Sequence, residues 1–206
     1  MLVYLLIACF MPENEKLKRL LSEIAVHDDQ TAYKELFLLM HGRLSSFATS
    51  ILKSKYDAEE VVSDVFIRLW EKRSQLTQIE SPLFYLFTSV KNQSINRLTS
   101  EKRKRQISPD HWMVQLNSVY FNPEKLMMTA EMLTYINNTI NSLPPKCRMV
   151  FKLVKEDGLR YREVAELLGI SIKTVEAQMA IALRRIGKCM KLEVKEEPVN
   201  TPSKKS

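Results

Sequence analysis

The chain lacks almost everything an ordinary enzyme would use. It has no glycine-rich phosphate loop, no HExxH pair and no serine elbow. Its three histidines, His27, His41 and His111, are scattered, and the dipeptide His27-Asp28 cannot build a metal-phosphohydrolase centre without further His and Asp ligands. Neither catalysis nor a metal or other cofactor is expected. Cysteine is equally sparse: Cys9, Cys147 and Cys189 form an odd set without metal-ligand spacing, which suits reduced thiols in a cytoplasm, with Cys147 in the core. Four glycines in 206 residues, and few alternating β-branched runs, argue against strands and for an all-helical, all-α protein. No apolar run is long enough to cross a bilayer. MLVYLLIACF spans only ten residues, no Lys or Arg precedes it, and Pro12 ends it. Leu6, Ile7, Ala8 and Cys9 match a bacterial lipobox in outline, but those flanks speak against a lipidated export substrate. Residues 1–13 are expected to be a non-native or disordered extension, with Met11 beginning the functional protein and no stable membrane insertion.

What is present is apolar periodicity and positive charge. Apolar residues make up 45% of the chain, enough for compact cores in one or two domains. A formal charge of +7 and a pI near 9.3 favour an anionic partner, although charge alone does not separate nucleic acid from a membrane surface. Leu17, Leu20, Leu21 and Ile24 predict an amphipathic helix over 14–26. Tyr33, Leu36, Phe37, Met40, Leu44, Phe47 and Ile51 predict another over 30–53. DAEEVVSDVFIRLWEKR, residues 57–73, opens with acids suited to a helix N-terminus and sets Val61, Val62, Val65, Phe66 and Leu69 opposite Glu60, Asp64, Arg68 and Glu71. A polar loop over 76–81 follows, and Pro82 fits the first position of a helix running to about Thr99, with a basic tail SEKRKRQ.

The pattern decays after Ile107, so 106–122 reads as a flexible linker. Helices are predicted from about Pro123 to the Pro144-Pro145 pair, and then up to Gly158. The next stretch, YREVAELLGISIKTVEAQMAIALRRI, is the most informative. Its stripe Val164, Ala165, Leu167, Leu168 stops at Gly169, and a second restarts at Val175, Met179, Leu183 and Ile186. Small Ala165 where two helices cross, Gly169 at a positive-φ turn, and Val175 locking the second helix onto the first are the helix-turn-helix signature. Ser171 is a candidate N-cap, leaving backbone N–H groups and the positive dipole end for a phosphate. Opposite Val175 lie Lys173, Ala177 and Arg184, flanked by Thr174 and Gln178. The competing interpretation is an ordinary helical hairpin with a solvated outer face. Beyond Met190 no apolar periodicity remains, which predicts a disordered tail over 191–206.

The N-terminal half offers a second surface. Between Pro82 and Arg105, Phe84, Tyr85 and Phe87 alternate with Lys91, Asn92, Gln93, Asn96, Arg97 and the KRKR run. Cation beside aromatic and amide groups suits single-stranded DNA. Phe84 and Phe87 are better assigned to the core, whereas the Asn92, Asn96, Arg97 face reads as functional.

At this point the chain resembles a known family. DAEEVVSDVFIRLWEKR, then SPLFYLFTSVKNQSINRL, then INSLPPKCRMVFKLVKEDGLRYREVAELLGISIKTVEAQMAIALRRI resemble, over roughly 30–186, the extracytoplasmic-function group of sigma-70 RNA polymerase sigma factors. In overall style they are similar to the group's Bacteroidetes branch, often paired with a membrane anti-sigma protein. The resemblance implies a region 2 domain over 14–105 that binds core RNA polymerase and the promoter's minus-10 element, and a region 4 domain over 123–190 that binds the minus-35 element. It implies polymerase contacts from Glu60, Asp64, Arg68 and Glu71, and a specificity loop, with Thr77, Gln78, Ile79 and Glu80, that pockets a flipped minus-10 base. Lys91, Asn92, Asn96 and Arg97 would help hold that element. Ser171, Lys173, Thr174, Gln178, Arg184 and Arg185 would bind minus-35 DNA, the arginines on phosphate. Ile181 departs from the family, standing where relatives often carry a basic residue. Promoter DNA, core polymerase and an anti-sigma factor are the implied partners of a cytoplasmic protein that is not an enzyme. The alternative is a two-domain helix-turn-helix regulator whose N-terminal half senses a signal or dimerises. An adaptor that only binds other helices is a third reading.

Overall fold

A computed structural model describes residues 12–105 and 137–193, and every regular element among them is helical. The expectations for residues 1–11, for the 106–122 linker and for the helix beginning near Pro123 lie outside the described residues, apart from a helical stretch at 137–141. The first domain comprises α1 (Pro12–His27), α2 (Gln30–Leu52), α3 (Lys55–Glu71), a 3-10 turn (Arg73–Gln78) and α4 (Pro82–Arg105). Side-chain caps fix its corners. The Asp29 carboxylate accepts from the N–H groups of Thr31 at 2.7 Å and Ala32 at 3.1 Å, starting α2. Lys53 takes the left-handed conformation at φ 60° to end it, its N–H donating to Thr49 O. Ser54 Oγ then accepts from Asp57 N at 3.2 Å. That cap starts α3 at Lys55 rather than at the acids, because the hydroxyl satisfies a donor one turn further in.

Two further boundaries differ from expectation. The 76–81 loop is a 3-10 turn as far as Gln78, anchored by buried Leu76, while Arg73 reaches back to Trp70 O at 3.1 Å, stacks over the Trp70 ring and pairs with Asp28. α4 continues past Thr99 through the basic run to Arg105. Lys and Arg are good helix formers and suit the negative end of the helix dipole, so the charge that marks the tail also prolongs the helix. Between these helices Leu17, Ile24, Leu36, Met40, Leu44, Val62, Phe66, Leu86 and Phe87 are fully buried. Phe66 is ringed by Tyr33 and Phe37, and Tyr33 Oη donates to Phe66 O at 3.0 Å. Each such side chain contributes about 1.5–3 kcal/mol by leaving water.

The second domain comprises α5 (Pro145–Lys155), α6 (Tyr161–Leu168) and α7 (Ile172–Glu193). Pro145 occupies the first turn of α5, where its missing N–H costs nothing. Gly169 closes α6 at φ 67°, and Ile170 N bonds back to Ala165 O at 3.0 Å while Gly169 N bonds to Glu166 O, the paired bonds of a Schellman ending. Ala165 and Val175 are buried against each other's helices as their sizes require. α7 runs to Glu193, past the Met190 boundary set for the tail; the remaining tail lies outside the described residues. The two domains touch, with α4 against α6.

Candidate nucleic-acid interface

α7 follows α6 through a turn only three residues long, and this brings its first two turns to the surface. Ser171, Lys173 and Thr174 are exposed there, and Gln178 is half-buried. Ser171 is the N-cap expected: its Oγ accepts from Thr174 N at 3.1 Å and pairs with Thr174 Oγ1 at 2.9 Å. The Thr174 hydroxyl is thus shared between capping and any base it meets. Gln178 is held from behind, its backbone carbonyl 3.2 Å from Cys147 Sγ, and burial pushes that thiol's pKa up. Lys173 and Arg184, eleven residues apart, fall on one side of a helix with 3.6 residues per turn. Arg184 is exposed, whereas Arg185, also exposed, points Nη1 at Ser142 O, 3.5 Å away. Ala177 and Ile181 are exposed beside this face, an apolar patch suited to a thymine methyl rather than a phosphate.

The first domain is arranged differently from the expectation. Asn92 and Asn96 are exposed one turn apart on α4, with half-buried Lys91 beside them. Arg97 does not stand with them as an uncommitted cation. Its guanidinium donates to both oxygens of Glu60 at 2.8 Å and to Asp57 at 3.0 Å, which raises the Arg97 pKa and lowers that of Glu60 through the same hydrogen bonds. Arg68 Nη1 likewise donates to Gln93 Oε1 at 2.8 Å. Glu60 and Arg68, to which the family resemblance gives polymerase contacts, and Arg97, expected on a DNA face, therefore join α3 to α4. The helical wheel of α3 showed which side was polar but not that a second helix would answer it. Asp64 is half-buried and Glu71 exposed. The outer flank of α3 instead carries two exposed apolar residues, Tyr56 at 77% and Ile67 at 55%.

The aromatics of α4 do not form a stacking platform. Phe87 is buried, 5.1 Å from Phe47, and Phe84 and Tyr85 are half-buried against the core. Thr77, Gln78 and Glu80 are exposed and Ile79 turns inward. These four border an open recess of about 290 Å³ between the 3-10 turn and α1, whose Lys18 and Ser22 line the other wall. Sequence reasoning missed Lys18 and Ser22 because α1 was read only for its leucines. Arg160, Tyr161 and Arg162 are exposed where α6 begins.

Comparison with known proteins adds to this geometry. The family model described as Sigma-70 region 2 matches residues 36–104, and the one described as Sigma-70, region 4 matches residues 133–186. The ferric citrate uptake sigma factor FecI of Escherichia coli is 27% identical over 163 residues, 79% of this chain and 93% of that one. The ECF RNA polymerase sigma factor SigK of Mycobacterium tuberculosis is 22% identical over 178 residues, 86% and 95% of the two chains. The solved sigma factor RpoE of Bartonella quintana, in complex with the anti-sigma factor NepR, is 24% identical with a TM-score of 0.48, covering 78% of this chain and 98% of its own.

Proposed function

From the premise that this chain belongs to the sigma-70 family of RNA polymerase sigma factors, in its extracytoplasmic-function group, we propose how the two helical domains divide a promoter between them. A sigma factor directs polymerase to a start site and does no covalent chemistry. The second domain reads minus-35 duplex DNA with the exposed start of α7. Lys173 and Gln178 meet base edges, each good pair contributing about 1–3 kcal/mol of discrimination. Ser171, the free N–H groups of the first α7 turn and Arg184 hold phosphates, which set register without reading sequence.

The first domain captures the minus-10 element as a single strand. Asn92 and Asn96 bond unpaired bases, and the recess walled by Thr77, Gln78 and Glu80 receives a flipped one. Unstacking costs a few kcal/mol per base, which the contacts offset only when polymerase supplies more. Glu60, Arg68 and Arg97 align α3 with α4, so that the outer flank of α3, with Ile67, Tyr56, Glu71 and Asp64 near it, faces core polymerase. The protein acts in the cytoplasm, where polymerase is, and among the described residues no helix is long and apolar enough to cross a membrane. An anti-sigma factor as its regulator follows from the resemblance to the group. The observation that carries the reading is the capped, exposed start of α7 locked on α6 by Ala165, Gly169 and Val175. Promoter-specific initiation by the purified chain with core RNA polymerase tests it; failure to associate with core would end it.

A further inference from the structure

Polar side chains meet across the seam between the two domains, and two charges buried there, Lys152 and Asp157, have hydrogen-bond partners on the first domain. On the first domain, Arg43 and Ser46 lie about one turn apart on α2, and Ser81 precedes α4. On the second, Lys152, Asp157 and Glu163 answer them. Arg43 Nε donates to Asp157 Oδ1 at 3.1 Å and Nη2 to Asp157 O at 2.8 Å. Lys152 Nζ donates to Ser46 Oγ at 2.7 Å, and Ser81 Oγ donates to Glu163 Oε1 at 2.6 Å. Asp157 is 1% exposed and Lys152 7%. Charges so deeply buried are costly unless paired, and both of these have hydrogen-bond partners on the other domain.

This arrangement cannot be the one that reads a promoter. The minus-35 and minus-10 elements are, by name, roughly 25 base pairs apart, or about 85 Å at ~3.4 Å per pair. With Ser81 bonded to Glu163, the start of α7 lies within about 30 Å of Ser81, given the rise of a helix and the reach of the short turn after it. Parting the domains is permitted by the chain, since the 31 residues numbered 106–136 have a contour length of about 100 Å.

We propose that Arg43, Ser46 and Ser81 form a docking surface for the chain's own helix-turn-helix domain, a clasp onto Asp157, Lys152 and Glu163 that is closed in the free protein and opens before both promoter elements are engaged. The proposal rests on the promoter reading above. None of the six residues belongs to the DNA-reading set, so the clasp blocks engagement by holding the two reading surfaces too close together rather than by covering them.

Small-angle X-ray scattering of the full chain, alone in solution, tests this. In Arg43→Ala/Ser46→Ala the closed-to-open ratio should fall about a hundredfold or more, as expected when partners of buried charges are removed, and the radius of gyration should rise above that of the wild type. Asp157→Ala, approached from the other domain, should also weaken the clasp by leaving Arg43 without its carboxylate, and serves if the double variant loses its helical circular dichroism. Equal radii for the wild type and a folded variant overturn the clasp. Promoter-specific initiation by wild-type chain with core polymerase, measured on the same preparations, reports on the promoter reading alone, so the two ideas can fail separately.

Discussion

Asn92 and Arg97 sit about one and a half turns apart on α4 and were given the same task by the sequence, yet only one of them faces solvent uncommitted to α3. A guanidinium with two carboxylates at 2.8–3.0 Å is a brace, and removing it should disturb the angle between α3 and α4 before it disturbs any base contact. Asn92→Ala is the cleaner probe. It should weaken open-complex formation by about 1–3 kcal/mol, read by permanganate footprinting, while core polymerase binding stays unchanged. A second residue-level prediction concerns Glu156. Burial pushes its carboxyl from 4.5 up to about 7, with neighbouring Asp157 adding to the rise and Lys152 and Arg43 opposing it. Because the folded state raises this pKa, Glu156 favours the folded, clasped chain most below pH 4.5, and that contribution is lost as pH rises through 7. At about 1.4 kcal/mol per pH unit the loss is roughly 3 kcal/mol. Glu156→Gln should flatten the pH dependence of urea midpoints over this window and be the more stable form above pH 7.

At the scale of elements, the helix-turn-helix was legible because three backbone demands each select a residue type. Gly169 has φ 67°, and a Cβ there would meet nothing within 4 Å, so the whole cost of a side chain is conformational. Gly169→Ala should therefore lower stability by about 1–2 kcal/mol in thermal melts, with Gly169→Asn costing less. The apolar stripes of α1 to α4 were legible for the same reason, since burial selects spacing. What the sequence hid was partner choice. The polar side of α3 could be seen at Glu60, Asp64 and Arg68, but whether water, polymerase or α4 meets it depends on the crossing of two helices far apart in the chain. The 3-10 turn was hidden by its polar composition, in which the single anchor Leu76 leaves no period to detect.

For the whole molecule, a net charge of +7 draws the chain toward any DNA, so its duplex affinity should fall steeply with salt. Arg184→Ala should reduce the slope of log affinity against log salt by about one and weaken all sequences alike, in fluorescence titrations across 50–200 mM salt. The two-domain plan was readable from two motifs in order; that the domains would face each other was not, since a clasp of six polar residues spread from 43 to 163 has no period and no motif. Glu163 shows what such a clasp implies. Its Oε1 receives Ser81 from across the seam while its Oε2 receives the N–H of Arg160 at the start of its own helix, 2.8 Å away. One carboxylate thus serves as a permanent fixture on one side and a detachable fastening on the other, so separation would leave the α6 entrance intact and the released module ready to read without refolding.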